Sequence, residues 1–308
     1  MNIHRRIVIK AGLGLGAAML IPEAGLFAQA QPLIQKKIPS SGEAIPIIGI
    51  GTARRYEAVK SDAEKALLRE TIRQFQALGG KVIDSSPSYG TAEEVVGELA
   101  EGLKVRDSLF LATKVSLRNV GRAEGIAQIE QSFKKLRTNK IDLIAVHNLR
   151  DTDTQLRTLR EMKQAGRIRY VGITTSFDNQ YGAFEQVMKK ETLDFIQIDY
   201  ALDNRDAGDR IIPLAGDRGA AVMINLPFGR GRLFKAVQGK KLPEWASDFD
   251  CQSWPQFFLK YIVSHPAITC AVPGMARPEY VVDNLGAARG RLPDSATRRK
   301  VERFIDGM

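Results

Sequence analysis

Four polar residues stand at, or just after, the ends of consecutive apolar runs in this sequence. Asp84, Lys114 and His147 each close a run that is typical of a buried strand, and Tyr89 follows Asp84 on the next loop. In a parallel α/β barrel all strands point the same way, so their final residues converge on one rim. We therefore expect these four side chains to share one site.

These residue types suit the reduction of a carbonyl group. Hydride delivered to a carbonyl carbon leaves an alkoxide that must be stabilised and protonated. A tyrosine hydroxyl, with a pKa of roughly 10, is a weak acid at neutral pH, and a lysine cation beside it lowers that pKa. We expect Asp84 to hold Lys114 charged, Lys114 to make Tyr89 more acidic, and His147 to donate to the carbonyl oxygen. This chemistry needs no metal, and the sequence contains no metal-ligand motif.

Eight apolar runs alternate with amphipathic segments of helical period. The runs are continuous and rich in β-branched residues, as expected for parallel strands buried on both faces. They span residues 46–52, 81–84, 109–114, 141–147, 168–174, 195–200, 221–225 and 268–272. The sequence therefore predicts an α/β fold, a single-domain (β/α)8 barrel over residues 31–308. A doubly wound sheet is the alternative, but it would require a glycine-rich first turn followed by an acidic residue, and both are missing.

Local signals mark the ends of several helices. Residues 61–64 and 91–94 both fit a capping box, in which an N-cap hydroxyl is followed three residues later by Glu. Gly79 and Gly102 are the expected helix ends. Residues 226–253 have no clean period and separate the seventh and eighth strands. Long connections of this kind usually carry function, and we expect this one to help cover a cofactor.

The first 30 residues differ in character from the rest of the chain. Basic residues that include Arg5 and Arg6 precede a short apolar run, and Ala28, Gln29 and Ala30 follow as a small-residue cleavage pattern. These features are typical of a signal peptide, and the arginine pair resembles the twin-arginine export signal. We predict export to the periplasm by the twin-arginine machinery, with no stable membrane insertion after cleavage. An uncleaved membrane anchor is the alternative.

The chain is basic, with a formal net charge of +10. Residues 1–30 hold three basic residues and one acidic residue, so the remainder carries +8. Its basic residues alternate with acids along predicted helices and form no stripe with interleaved aromatics, which argues against nucleic-acid binding. Cys251 and Cys270 fit no metal motif, and Cys270 lies in an apolar run as a small core residue.

The tetrad and its surrounding segments resemble the aldo-keto reductases, which are NADP(H)-dependent (β/α)8-barrel enzymes. Residues 82–90 resemble the family's strand-two signature, in which the catalytic Asp and Tyr stand at the same separation. Residues 168–175 and 195–200 resemble segments that hold the nicotinamide carboxamide, and residues 272–279 resemble the adenosine-phosphate segment. The resemblance implies cofactor contacts at Thr52, Thr174, Thr175, Gln197, Asn225, Pro227, Gly229, Gly274, Met275, Arg277, Asp283 and Asn284.

The adenosine-phosphate segment also has physical support. A helix that starts near Pro278 directs free backbone N–H groups at an anion, and Arg277 at its mouth could hold a 2′-phosphate. Two positions depart from the family pattern. Asn225 replaces an aromatic residue that stacks on the nicotinamide, a role that Phe228 could take over. Tyr280 replaces a basic residue, which weakens the argument for NADP over NAD.

The sequence predicts an NADP(H)-dependent oxidoreductase that reduces a small aldehyde or ketone to an alcohol, or runs the reverse reaction, with Tyr89 as general acid and base. Soluble NADPH is made in the cytoplasm, so an exported enzyme is expected to hold its cofactor tightly and recycle it in place. A cofactor-binding sensor or interaction subunit without turnover is the alternative on the same barrel. A sugar isomerase or hydrolase would need metal ligands or paired carboxylates, which the rim lacks.

Overall fold

The computed structural model describes residues 31–117 and 121–308. The predicted signal peptide at residues 1–30 lies outside the described residues. In the part of the chain that is described, no helix is both long enough and apolar enough to cross a bilayer.

Within the described residues, eight parallel strands form one sheet in which each strand pairs with the next along the chain. They are β3 (Ile50–Gly51), β4 (Val82–Asp84), β5 (Phe110–Val115), β6 (Ile141–His147), β7 (Ile168–Thr174), β8 (Phe195–Asp199), β9 (Ala221–Asn225) and β10 (Ile268–Ala271). Parallel bridges from Ile48 to Ala271 and from Gly51 to Gly274 join the first strand to the last, so the sheet closes. The predicted α/β fold with an eight-stranded parallel barrel is confirmed.

Helices follow the strands and pack on the outside of the sheet. The α-helices are α1 (Asp62–Ala77), α2 (Ala92–Gly102), α3 (Arg122–Lys135), α4 (Thr152–Gln164), α5 (Tyr181–Lys190), α6 (Ile211–Asp217), α7 (Arg232–Ala236), α8 (Trp254–Val263), α9 (Pro278–Gly286) and α10 (Ser295–Asp306). On α1 the side chains of Leu68, Ile72 and Phe75 are buried, which is the apolar face that the helical period predicts.

A hairpin closes the amino-terminal end of the barrel. Strands β1 (Gln35–Lys37) and β2 (Ala44–Pro46) pair antiparallel, and Ile38 and Ile45 join the barrel interior formed by residues such as Phe110. The interior is therefore filled from below by apolar side chains. The open, polar end is the carboxyl-terminal rim, where the predicted tetrad lies.

The structure confirms the Ser61 N-cap of the first predicted capping box and corrects the second box. The Glu64 carboxylate accepts from the Lys60 backbone N–H at 2.6 Å, so the first box is only half formed. The Ser61 hydroxyl accepts from the Glu64 backbone N–H at 3.2 Å, and Gly79 follows α1 in the left-handed region at φ +92°. Thr91 precedes α2 but makes no side-chain cap, because its hydroxyl donates to the backbone carbonyl of Glu57 at 3.2 Å. Gly102 is the last residue of α2, as predicted.

Candidate active site

A cavity of about 580 Å³ opens at the carboxyl-terminal rim of the barrel. Its walls include the side chains of Asp84, Tyr89 and His147. Lys114 lies buried beneath them, bonded to Asp84. The structure therefore brings the four predicted catalytic residues together, because β4, β5 and β6 are neighbours in the sheet and end at the same rim.

Asp84 and Lys114 form a buried ion pair. The lysine Nζ lies 2.9 Å from both carboxylate oxygens and also donates to the Ser85 carbonyl at 2.7 Å. Asp84 is 6% exposed and Lys114 is 2% exposed. Burial lowers the pKa of Lys114, but Asp84 and Tyr89 more than offset that effect and the net pKa is raised. The lysine is therefore a fixed cation, as predicted.

Tyr89 lies beside this cation, with the Lys114 Nζ 5.1 Å from the centre of its ring. Burial raises the pKa of the Tyr89 hydroxyl, and the Lys114 charge lowers it. Lys114 therefore acts in the expected direction, but loss of hydration outweighs it and the net pKa of Tyr89 is raised. Tyr89 is a protonated phenol at neutral pH, and the lysine limits how far its pKa rises.

His147 meets the Tyr89 ring edge-on, with ring centres 6.1 Å apart. Its Nδ1 lies 2.9 Å from the Ser116 hydroxyl and 3.4 Å from the Ser86 hydroxyl. Burial lowers the pKa of His147 to about 3, with help from the Lys114 and Arg150 charges. The imidazole is therefore neutral. When a serine donates to Nδ1, the proton resides on Nε2, which is the tautomer that can donate to a carbonyl oxygen.

The opposite wall of the cavity presents amide and hydroxyl groups from β7, β8 and β9. The Thr174 hydroxyl donates to Gln197 Oε1 at 2.8 Å, and Asn225 Nδ2 donates to the Thr175 carbonyl at 3.3 Å. Asn225 Oδ1 is buried and has no hydrogen-bond partner among the described residues. A buried acceptor without a partner is costly, so this wall suits a ligand that carries an amide N–H donor.

The predicted cofactor residues lie either around the cavity or on and next to α9. Those on the cavity wall are Thr174, Thr175, Gln197, Asn225, Pro227 and Gly274. Thr52 lies beneath the wall, where its hydroxyl donates to the Asp84 carbonyl at 3.0 Å, and Gly229 lines a smaller adjoining pocket. Met275 is fully buried, and its carbonyl accepts from the Tyr56 hydroxyl at 3.0 Å.

The remaining predicted positions lie on or next to α9. Arg277 is the N-cap residue of α9 and its side chain is 56% exposed, 3.5 Å from Glu279. Asp283 accepts hydrogen bonds from Ser253 at 2.5 Å and from Gln256 at 3.0 Å, and Asn284 is buried. Asp283 thus ties α9 to the start of α8. Cofactor contacts at Arg277, Asp283 and Asn284 stay predictions.

The connection 226–253 has two different halves. Phe228 and Phe234 line the cavity, as expected for a cover. Trp245 and Phe249 instead pack on Phe257 of α8, with ring centres 5.7 Å and 5.9 Å from it. The first half therefore shapes the site, and the second half anchors the connection to the barrel.

Sequence reasoning missed several residues of the cavity. Arg54 and Arg55 follow β3, and Arg230 follows β9; all three line the cavity. Ser116 supports His147 from below. Their only signal in the sequence is a position shortly after a strand, which many surface residues share.

Both cysteines are free and buried, in agreement with a core role for Cys270. Burial raises the pKa of Cys251 to about 11. In the segments that the structure describes, no group of His, Cys, Asp or Glu side chains could hold a metal ion.

Comparison with known proteins shows the family. The model of the Aldo/keto reductase family matches residues 47–302. The chain therefore belongs to the aldo/keto reductase family. This membership makes it an oxidoreductase of carbonyl or alcohol groups, and a subunit without turnover is not favoured.

Relatives and solved structures agree with this assignment. The chain is similar to the aldo-keto reductase YhdN of Bacillus subtilis, at 29% identity over 69% of this chain and 66% of that protein. It is similar to the methylglyoxal reductase YeaE of Escherichia coli, at 28% identity over 81% of this chain and 88% of that protein. An aldo-keto reductase from Klebsiella pneumoniae, solved in complex with NADPH, shares the fold with a TM-score of 0.75 at 23% identity, covering 90% of this chain and 95% of that one.

Proposed function

We propose that this protein reduces small aldehydes or ketones with NADPH, and that Tyr89 supplies the proton. The observation that carries the proposal is the placement of Tyr89 between the buried Lys114 cation and the neutral His147 on one cavity wall. The Klebsiella pneumoniae structure with NADPH supports the choice of cofactor.

The residues of the cavity fit a nicotinamide. The orphaned Asn225 Oδ1 can accept from the carboxamide, and Gln197 and Thr174 complete a polar wall beside it. Phe228 lines the same cavity and offers an aromatic face, although Asn225 occupies the usual stacking position. When bound, NADPH supplies the hydride.

The protein's own residues then handle the oxygen of the substrate. His147 donates from Nε2 to the carbonyl oxygen and orients it. Tyr89 donates its hydroxyl proton to the same oxygen as negative charge develops there. The Lys114 ammonium stabilises the resulting phenolate, and Asp84 keeps that ammonium charged and in place. The phenol regains its proton from solvent after the alcohol leaves.

Replacing Tyr89 by Phe tests the proposal. We expect reduction of an aldehyde panel, followed by loss of NADPH absorbance, to fall by about 10²-fold or more because the acid is lost. Tyr170→Phe is the matched control, because it removes a hydroxyl bonded to Glu43 at the opposite end of the barrel. Equal rates in Tyr89→Phe and the unsubstituted protein would refute the assignment.

We further propose that residues 1–30 direct twin-arginine export to the periplasm and that the cofactor travels with the folded protein. Arg5 and Arg6 support the export route. Twin-arginine export carries folded proteins, so a loaded enzyme can leave the cytoplasm and recycle NADP(H) in place, with one substrate reducing it and another oxidising it.

Two measurements test this second proposal. Lys substitutions at Arg5 and Arg6 should retain the protein in the cytoplasmic fraction, while the same change at Arg157, on the outer face of α4, should not. Protein purified from the periplasmic fraction should still release NADP(H) on denaturation after extensive dialysis. Nucleotide-free protein with micromolar affinity would contradict tight retention.

A further inference from the structure

Two serine hydroxyls approach the nitrogen of His147 that does not contact the substrate in the proposed reduction. This nitrogen, Nδ1, lies 2.9 Å from the Ser116 hydroxyl and 3.4 Å from the Ser86 hydroxyl. A carboxylate or a backbone carbonyl at this place would fix one tautomer of the imidazole, because it can only accept. A hydroxyl both donates and accepts, so the two serines can satisfy Nδ1 in either tautomer.

The fold brings both hydroxyls to this nitrogen from two neighbouring strands. Ser116 lies just beyond the end of β5, two residues after Lys114, so the two side chains share one face of the sheet. Ser86 follows β4 in the loop that carries Tyr89, and the Tyr89 backbone N–H donates to the Ser86 carbonyl at 3.0 Å. Both serines therefore belong to the rim that carries the tetrad, and neither is among the predicted cofactor contacts.

A chain of hydroxyls links Nδ1 to the protein surface. Ser88 is exposed, and its hydroxyl lies 2.9 Å from the hydroxyl of Ser86, which is completely buried. The Ser88 backbone N–H also donates to the Ser86 hydroxyl, at 3.2 Å. When the Ser88 hydroxyl donates as well, both lone pairs of the Ser86 oxygen are used, and the Ser86 proton is left for Nδ1. Ser88, Ser86 and His147 then form one directed path from solvent to the imidazole.

The imidazole of His147 does not hold an additional proton at neutral pH. Burial, with the charges of Lys114 and Arg150, lowers the pKa of His147 to about 3. A neutral imidazole that released its Nε2 proton without replacement would become an imidazolate, which is a far stronger base. Release from Nε2 is therefore feasible only when Nδ1 gains a proton in the same step, and the Ser86 hydroxyl is placed to supply it.

On the basis of the proposed reductase activity, we propose that His147 is a second proton source for the substrate oxygen, supplied through Ser86 and Ser88. The Nε2–H bond breaks and its proton passes to the alkoxide oxygen, while Nδ1 takes the proton of Ser86. Ser86 takes the proton of Ser88, and Ser88 regains one from solvent. One proton enters and one leaves, so His147 changes tautomer without becoming charged. The new Nδ1–H has the Ser116 oxygen as its acceptor at 2.9 Å, and exchange with solvent in the open cavity restores the first tautomer.

The Tyr89→Phe variant isolates this relay, because it removes the principal acid. We expect its residual reduction of glyceraldehyde by NADPH to fall by about 10-fold or more when Ser86→Ala is added. With Tyr89 intact, Ser86→Ala should lower the rate by a smaller factor, since Tyr89 still supplies a proton. Ser108→Ala is the matched control in both backgrounds, because it removes a hydroxyl bonded to the Val105 carbonyl ahead of β5, at the opposite end of the barrel.

The comparison of the two backgrounds separates a relay from a structural role. If Ser86 only holds the Tyr89 loop in shape, its removal should slow both backgrounds by the same factor, and that result would overturn the inference. Rates measured in mixtures of H2O and D2O give a second criterion. The Tyr89→Phe variant should show a curved dependence on the deuterium fraction because several protons move together, and Ser86→Ala should make it linear. A linear dependence in Tyr89→Phe itself would also overturn the relay.

A spectroscopic measurement distinguishes failure of the relay from failure of the proposed function. The full chain has three histidines, so nitrogen NMR spectra of histidine-labelled protein are simple, and His147→Gln assigns the signals of His147. We expect Ser86→Ala to shift the Nδ1 resonance of His147 and Ser108→Ala to leave it in place. No turnover on a whole aldehyde panel, with the Nδ1 shift present, would refute the reductase activity and keep the contact between serine and histidine. Turnover by the unsubstituted protein, with an unchanged Nδ1 resonance in Ser86→Ala, would refute the relay alone.

Discussion

Replacing Asp84 by Asn tests the electrostatic centre of the site most directly. The change keeps the size of the side chain but removes the charge that faces Lys114 across two contacts of 2.9 Å. With both residues almost completely buried, the ammonium would keep only neutral partners, namely the new amide oxygen, the Ser85 carbonyl and the Tyr89 hydroxyl. Breaking a buried pair costs about 3–5 kcal/mol, and we expect a loss of about 3 kcal/mol because Lys114 can limit the cost by releasing its proton.

The same change should also slow the reaction. Burial lowers the pKa of Lys114, and Asp84 is the main group that opposes this effect. Without Asp84 the lysine loses charge, the pKa of Tyr89 rises further, and we expect reduction to slow by about 10²-fold. Urea unfolding followed by fluorescence measures the first effect, and NADPH oxidation measures the second.

A double-mutant cycle decides whether the pair explains both effects. Lys114→Met alone leaves Asp84 as an uncompensated buried charge, whereas Asp84→Asn combined with Lys114→Met removes both charges. We expect the double variant to recover at least about 1 kcal/mol relative to the sum of the single changes, yet to stay inactive. Strictly additive losses of stability would show that the two residues are not coupled and would refute the reasoning.

Three further predictions follow from the geometry. Gly51→Ala should lower the melting temperature and cost about 1–3 kcal/mol of stability, because the new Cβ would lie 2.5 Å from the Val272 carbonyl oxygen. Gly182→Ala is the control: this position on α5 faces open space, and the change should not destabilise the protein. Asn225→Leu should raise the Kd for NADP(H) about 10-fold in a fluorescence titration, and an unchanged Kd would remove Oδ1 from the cofactor site. The pKa of His147 is about 3 in the folded chain, against 6.5 for a free imidazole, so the unfolded chain takes up the proton first as the pH drops. The free energy of unfolding should therefore fall between pH 6.5 and pH 3. His147→Gln should flatten that slope in acid unfolding curves.

The barrel and the tetrad were predictable for the same physical reason. Parallel strands buried on both faces leave continuous apolar runs in a sequence, and a common strand direction places their last residues on one rim. Asp84, Lys114 and His147 therefore met where the sequence predicted, although no long-range contact is visible in a sequence. Tyr89 followed because only a short loop separates it from Asp84.

Loop geometry set the limit of prediction. Arg54 and Arg230 adopt left-handed backbone conformations at φ +60° and +56°, and no periodic pattern signals where such residues direct their side chains. Thr91 fits the pattern of a helix cap, but its hydroxyl donates to the Glu57 carbonyl instead. Asp283 accepts hydrogen bonds from Ser253 and Gln256, and no pattern in the sequence indicates these partners. For Thr91 and Asp283, the side-chain contacts are set by partners that lie 27 to 34 residues away in the sequence.

The raised pKa of Tyr89 also bears on the direction of the reaction. Carbonyl reduction needs a phenol that gives a proton, whereas alcohol oxidation needs a phenolate that takes one. Burial favours the phenol more strongly than Lys114 favours the phenolate, so the site holds the reductive form at neutral pH. Between about pH 5 and 8 the rate of reduction should be flat, because the neutral His147 adds no titration there. As the pH rises towards the pKa of Tyr89, the rate of oxidation should increase and the rate of reduction should fall. The raised pKa of Tyr89 thus predicts that oxidation reaches its full rate only at a higher pH than an unperturbed tyrosine would require.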